Sequence, residues 1–256
     1  MPTTNHPGLI GPATPLPALD EATAAIVRAA YFQGSTERHM LAGPKTIFDQ
    51  ASLECCVSCA VTAAMEIEHS SSPALTAMFH YHVARYDRGL SMPGGRMTLD
   101  EGLTTRGDFG VCKHQLHPAA VNTTGWASKP SPPAYADALT HRPVRSFFSP
   151  GYLTVSGVSR VVDIRGRLKA NRPVLIGFTL PQGYKTSIPD SRHTWDDPRA
   201  PLSADMHCVL LIGYDDARQA VRVQDSQGTG IFDRGCWWMG YNVADSAIVS
   251  TAYYFT

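Results

Sequence analysis

The sequence predicts an α+β protein with two segregated lobes, and three observations carry that prediction. Apolar residues recur at helical spacing through the first half of the chain, whereas runs rich in Val, Ile and aromatic residues dominate the second. Helices followed by strands, rather than the two in alternation, argue against a single parallel sheet. The 256 residues are enough for one large domain or for two small lobes sharing an interface. The chain divides into an N-terminal arm and helix (1–42), a mainly helical lobe (43–143) and a mainly β lobe (144–256).

The first nineteen residues are rich in Pro, Thr and Gly and read as an arm without a core of its own. Asp20 can cap a helix reaching about Gln33, with Ala24, Ile26 and Ala30 towards one face. Val57, Ala60, Val61, Ala64, Met65 and Glu68 then follow helical spacing, and their small side chains suit a helix packed closely on several sides. "HSSSPALTAMFHYHVARY" predicts a further helix with Ser72 as N-cap and Pro73 in its first turn. In "TLDEGLTTRGDFGVC", Thr98 and Glu101 form a capping box and Gly110 supplies the stop. Ser131 caps a short helix in "PSPPAYADAL", and another spans about Arg160–Ala170. "PVLIGFTL", "HCVLLIGYDDARQAVRVQDS", "RGCWWMGY" and "STAYYFT" read as strands, with "YDDARQ" turning His207–Asp225 into a hairpin.

Hydrophobic residues make up 43% and charged residues 17%, the balance of an ordinary globular protein. Twenty-two basic residues match twenty-two acidic ones, so no net field recruits nucleic acid or an anionic membrane. No apolar run approaches the roughly eighteen residues of a membrane span, and the N-terminus lacks a signal peptide's basic region and apolar core. A cytoplasmic location is the expectation. Six cysteines (55, 56, 59, 112, 208 and 236) are then expected as thiols, with Cys112, Cys208 and Cys236 as small buried hydrophobes.

"DQASLECCVSCAV" (49–61) gathers three of those cysteines and admits three readings. A zinc site needs four ligands; Cys56-x-x-Cys59 has suitable spacing, but "CKHQLH" at 112–117 is no matching pair. A thioredoxin-type redox pair would follow a strand in a βαβ unit, and here a polar connector precedes it. A nucleophile needs a cysteine at a helix start, where the dipole and open N–H groups favour a thiolate, with a base and an orienting group elsewhere. His207 opens a strand 151 residues beyond Cys56, and the hairpin brings Asp225 to the same end. That placement suits a carboxylate holding an imidazole. His207 alone would read equally well as a buried strand histidine.

The stretch "DQASLECCVSCAVTAAME" resembles the nucleophile segment of papain-like cysteine peptidases, especially their bacterial branch. "GLTTRGDFGVCKHQLHP", "PSPPAYADALTHRP", "LKANRPVLIGFTL", "MHCVLLIGYDD" and "VQDSQGTGIFDRGCWWMGY" resemble further segments of that family in the same order, so the likeness runs from about Gly43 to the C-terminus. It implies a papain-like two-lobe fold, a helical lobe beside a β-barrel-like antiparallel sheet lobe. Cys56 matches the nucleophile, Gln50 the side-chain donor of the oxyanion hole, His207 the base and Asp225 its orienting partner. The sequence also departs from the pattern. Asp225 replaces the usual Asn, and Gln227 replaces the Trp that shields the Asn–His bond, which predicts a wetter, weaker contact. Glu54 replaces a turn Gly, placing an anion near the oxyanion hole. Cys59 replaces a Phe, and Leu53 replaces a disulfide-forming cysteine. No propeptide is recognisable.

The resulting expectation is acyl transfer through a thioacyl-enzyme, with a peptide or a small acyl or amide compound as substrate. Water as the final nucleophile makes a peptidase or amidase, whereas a bound amine or thiol makes an acyltransferase. A binding protein that has lost activity is the remaining alternative. Asp205 and Met206, just before His207, and Gly94 and Gly95 in "SMPGGRM" are the substrate-binding candidates. No metal, cofactor, nucleic acid or membrane is expected, and no feature identifies a carrier or partner protein.

Overall fold

The computed structural model describes residues 21–43, 46–69, 73–87, 97–119, 125–142, 151–152, 160–184, 194–246 and 248–254. Its centre is helix α2 (Cys56–Glu68), buried continuously from Val57 to Glu66. Ala60, Ala63 and Ala64 are small enough for neighbours to approach this helix from several sides, as its sequence predicts. On one side lie α3 (Ala77–His82), which continues into a π-helical turn at Val83–Asp87, and α4 (Leu99–Phe109). On the other side lies the sheet. Helix α5 (Pro132–Thr140) completes the helical layer, while α1 (Glu21–Phe32) and α6 (Arg160–Lys169) belong to the far face of the sheet.

Eight strands form the sheet: β1 (Arg38–Met40), β2 (Gly151–Tyr152), β3 (Val174–Pro181), β4 (Thr194–Trp195), β5 (Leu202–Asp215), β6 (Ala220–Gln224), β7 (Cys236–Gly240) and β8 (Val249–Tyr254). The main path runs β2-β8-β3-β5-β6-β7-β4, with β1 pairing β5. Alternation along the strands supplies two cores. Leu175, Cys208, Leu210, Ile212 and Tyr253 pack towards α2, whereas Val174, Ile176, Phe178, Val209 and Leu211 meet Val161, Ile164 and Leu168 of α6. Because both faces are covered, "PVLIGF" and "CVLLIGY" read as continuous apolar runs rather than alternating ones.

The α+β class holds, with three amendments. The sheet is mixed, because β4 pairs β7 in parallel, and among the described residues its path stays open rather than closing into a barrel. The third expected helix, α3, starts at Ala77, not Pro73, and Ser72 lies outside the described residues. Tertiary bonds account for that delay. The Leu75 N–H donates to Glu66 Oε1 at 2.8 Å, Leu75 pairs with Lys113 as a β-bridge, and the Thr76 N–H donates to the Cys112 carbonyl at 3.1 Å. Helix α1 ends as expected, but Ile26 is exposed and Phe32 makes the core contact.

Other local signals are realised. Thr98 and Glu101 form the capping box on α4. Gly110 stops that helix at φ 72°, where a Cβ would lie 2.0 Å from the Ala138 carbonyl oxygen. Ser131 precedes α5 without a side-chain bond to it, and Pro132 opens the helix. None of the described helices is long and apolar enough to cross a membrane.

Glu66 gives the fold its first test. This buried side chain, in the last turns of α2, accepts from the Thr46 N–H at 2.9 Å, the Thr46 hydroxyl at 3.0 Å and the Leu75 N–H at 2.8 Å. It thereby anchors the segments on either side of α2. Glu66→Ala leaves these donors without their acceptor and should cost about 3 kcal/mol in urea unfolding. A loss below about 1 kcal/mol would show that the anchor is dispensable.

Candidate active site

Two loops and one helix start build the site. The segment Phe48–Gln50 lies against Ser226–Gly228: the Gln50 N–H donates to the Ser226 carbonyl at 2.8 Å, the Gly228 N–H donates to the Phe48 carbonyl at 2.9 Å, and Asp49 and Gln227 form a bridge between them. A tight turn follows, with Ala51 at φ 47° and its N–H held by Asp49 Oδ1 at 2.9 Å. Leu53 is buried below this turn, and Cys55 becomes the N-cap of α2. Cys56 is therefore the first helical residue, where several backbone N–H groups lack intrahelical acceptors.

The hairpin of β5 and β6 supplies the partners. His207 lies on β5 opposite Phe178 of β3, and Asp225 follows the end of β6. His207 Nε2 meets Asp225 Oδ1 at 2.9 Å, leaving Nδ1 for the Cys56 sulfur, which His207 hydrogen-bonds. Burial works against the Cys56 thiolate, but the hydrogen bond and charge of His207 outweigh it, helped by the N–H groups of Cys208 and Val57. The thiol pKa is lowered. His207 shows the complementary shift. Burial opposes its charge, yet Asp225 and then Cys56 push its pKa up to about 10. The site favours a thiolate beside an imidazolium.

Asp225 has no exposed side-chain surface and takes four donors. Oδ1 accepts from His207 and from the Ser226 N–H at 2.8 Å; Oδ2 accepts from Trp237 Nε1 at 2.8 Å and from the Tyr184 hydroxyl. Burial raises the pKa of this carboxyl, while His207, Tyr184 and Trp237 lower it, and the net direction is down. Tyr184 and Phe178 also stack edge-on against His207, at centroid distances of 5.5 and 5.9 Å. The expectation that Gln227 leaves this contact wet is therefore corrected. Trp237, Tyr184 and Phe178 cover it from other strands and loops, and the His207 side chain is only 4% exposed. Gln227, half-buried, serves instead through its backbone bridge to Asp49.

Gln50 is held at both ends of its amide. Oε1 accepts from the Ser226 hydroxyl, and Nε2 donates to the Leu53 carbonyl at 3.2 Å, which leaves one amide hydrogen for a ligand. Ser226 went unnoticed in the sequence because only its contact with Gln50, 176 residues away, gives it a role. Glu54 has an exposed side chain on the turn beneath the helix start, not a place in the packed interior. Asp205 and Met206 are exposed on β5 immediately before His207, with Met206 at 53%. Gly94 and Gly95 lie outside the described residues. All six cysteines are free thiols. Among the described residues, no cluster of three or more His, Cys, Asp or Glu side chains is placed to hold a metal ion.

Comparison with known proteins places this architecture. The model of the Peptidase_C39 like family matches residues 119–233, a span that contains His207 and Asp225 but not Cys56. No curated protein sequence matches the chain. Among solved structures, xylellain, a cysteine protease from Xylella fastidiosa, is 22% identical with a TM-score of 0.70, over 88% of each chain. A cysteine protease of Carica candamarcensis is 14% identical with a TM-score of 0.57, over 83% of this chain and 93% of its own. The digestive procathepsin L2 proteinase of Tenebrio molitor larval midgut is 12% identical with a TM-score of 0.62, over 83% of this chain and 64% of its own. The fold is that of the papain-like cysteine proteases.

The charge on Asp225 is testable directly. Asp225→Asn removes the main group that raises the His207 pKa, so NMR titration of labelled imidazole should show a fall of about 1–3 units from about 10. The sign for stability follows. With a folded pKa above the ordinary 6.5, the His207 proton stabilises the native state fully below about pH 6.5, and this contribution is lost as pH rises through about 10. An unchanged titration in the variant would rule out Asp225 as the source of the shift.

Proposed function

We propose that this chain is a cysteine peptidase that cleaves peptide or amide bonds through a thioacyl-enzyme. The observation that carries the reading is the convergence of a thiol at a helix start, an imidazole held at 2.9 Å by a buried carboxylate, and a clamped amide donor. In the first step the Cys56 thiolate attacks the substrate carbonyl carbon. The carbonyl oxygen takes up negative charge between the Gln50 side-chain N–H and the Cys56 backbone N–H. His207 then gives its proton to the leaving nitrogen, and the C–N bond breaks. In the second step His207, now neutral, takes a proton from water as that water attacks the thioester. Collapse of the intermediate expels the thiolate and restores the imidazolium. Asp225 holds the ring throughout and stabilises its charge whenever it is protonated.

Similarity of fold to the proteases named above supports this reading, as does the match of the Peptidase_C39 like family model across the His207–Asp225 hairpin. Six unpaired thiols suit a reducing compartment, which favours a cytoplasmic location.

A peptide library compared between wild type and Cys56→Ala tests the proposal. Wild-type cleavage should vanish in the variant, while limiting iodoacetamide or a thiol-reactive epoxide should modify Cys56 before the other five cysteines. If nothing is cleaved but Cys56 retains an acyl group from an activated thioester, the chain is an acyltransferase instead. Uniform reactivity of all six cysteines would sink both. Gln50→Ala should lower kcat by about 10²–10³, the usual effect of losing one oxyanion donor. Ser226→Ala should lower kcat several-fold with little change in KM, since it frees the Gln50 amide without touching substrate; an unchanged kcat would remove Ser226 from the site.

A further inference from the structure

Two cysteines beside the nucleophile have no part in the proposed reaction. Cys55 and Cys59 are both buried, at 0% and 1% exposure, with their sulfurs 3.7 Å apart. Cys55 is the N-cap of α2 and its carbonyl accepts the Cys59 N–H at 3.0 Å, so the pair is joined across the first helical turn. Cys56 stands between them in sequence, and Cys59 follows it by three residues, the spacing of facing neighbours on a helix. A disulfide has a sulfur–sulfur length of about 2.05 Å, so Cys55 and Cys59 need to approach by less than about 2 Å. The backbone of Cys55, at φ −112° and ψ 20°, lies outside the regular helix.

We infer that Cys55 and Cys59 form a buried dithiol that reduces Cys56 after a hydroperoxide has oxidised it. This rests on Cys56 being the activated thiol, but not on which substrate it serves. Exposure sets the order of events: only Cys56 of the three is part-exposed, so the oxidant meets it first. The Cys56 thiolate attacks the peroxide oxygen; the O–O bond breaks, an alcohol leaves after gaining a proton, and Cys56 becomes a sulfenic acid. The Cys59 sulfur then attacks the Cys56 sulfur. The S–O bond breaks, and the departing hydroxide takes the Cys59 proton to leave as water. Cys55 next attacks Cys59 and loses its proton to solvent, which replaces the one the alcohol took up; the Cys59–Cys56 bond breaks, releasing the Cys56 thiolate and leaving a Cys55–Cys59 disulfide. In balance, one hydroperoxide and two thiols become one alcohol, one water and one disulfide. The Cys59 thiol is otherwise inert, since its hydrogen bond with Cys55 and its burial both raise its pKa. Intramolecular proximity is what lets so weak a nucleophile act.

Intact-mass and peptide mapping after a small excess of hydrogen peroxide test this, with epoxide labelling of Cys56 before and after. The expected product is lighter by about 2 Da, has Cys55 linked to Cys59, still labels at Cys56, and reverts with dithiothreitol. The same dose should leave a Cys56–Cys59 disulfide in Cys55→Ser, with labelling lost. In Cys59→Ala it should drive Cys56 to the sulfinic acid, about 32 Da heavier. Sulfinic Cys56, a persistent Cys56–Cys59 disulfide or no mass change in the wild type would each overturn the inference. If Cys56 fails to label preferentially before peroxide, the peptidase reading falls as well; if it labels and no Cys55–Cys59 link forms, only the dithiol role falls.

Discussion

Asp225 is the group on which the rest of the site depends. A carboxylate without solvent contact is costly, and the cost is offset only where every lone pair finds a donor. Here four donors converge from four places: His207 on β5, the neighbouring Ser226 backbone, Trp237 on β7 and Tyr184 beyond β3. Each is thereby fixed relative to the others. The imidazole that meets Cys56 owes its orientation and its charge to this one buried anion, and the apolar sheet face around Phe178 keeps water from weakening the contact.

Helix α2 meets that arrangement from the opposite direction. Its run of small residues lets it lie against the sheet face formed by Leu175, Cys208 and Leu210. Its N-terminus then arrives beside His207, and the Cys208 N–H reaches the Cys56 sulfur. The two loops are joined by backbone bonds between Phe48–Gln50 and Ser226–Gly228. Cys56, His207 and Gln50 are consequently positioned by sheet register and a short ladder rather than by long side chains reaching across open space.

The parts of the site legible in the sequence are those encoded by local pattern. The helix-start position of Cys56 is a local pattern, the hairpin signal in "YDDARQ" brings His207 and Asp225 to one end, and Gln50 was implied by the resemblance of "DQASLECCVSCAVTAAME" to the papain-like segment. The capping box at Thr98 and the stop at Gly110 were equally local. What the sequence could not display is the convergence of distant segments. Trp237 read simply as a strand aromatic, Tyr184 carried no signal, and Ser226 gained meaning only opposite Gln50. The same cause misled on the cover over His207: removing the expected indole at 227 suggested a wet contact, while the actual cover comes from residues 178, 184 and 237. Pro73 misled in the other direction, since a sound helix-start signal lost to bonds from Glu66 and the 112–114 segment.

An acid rather than an amide at position 225 bears on the proposed chemistry. A neutral partner would orient His207 without holding its proton; a carboxylate does both and, together with Cys56, raises the pKa to about 10. So strong a hold favours the thiolate but makes the imidazolium a weaker acid towards the leaving nitrogen. The Cys56 contribution relieves part of that tension. The thiolate itself raises the His207 pKa, and attack on the carbonyl removes the negative charge from sulfur and places it on oxygen, beside Gln50. The imidazolium thus becomes a better donor as the tetrahedral intermediate forms, when the nitrogen needs a proton. Ser226 connects the two ends of this transfer: its N–H binds Asp225 and its hydroxyl holds the Gln50 amide. The group that steadies the imidazolium and the group that receives the migrating charge are therefore positioned by one residue.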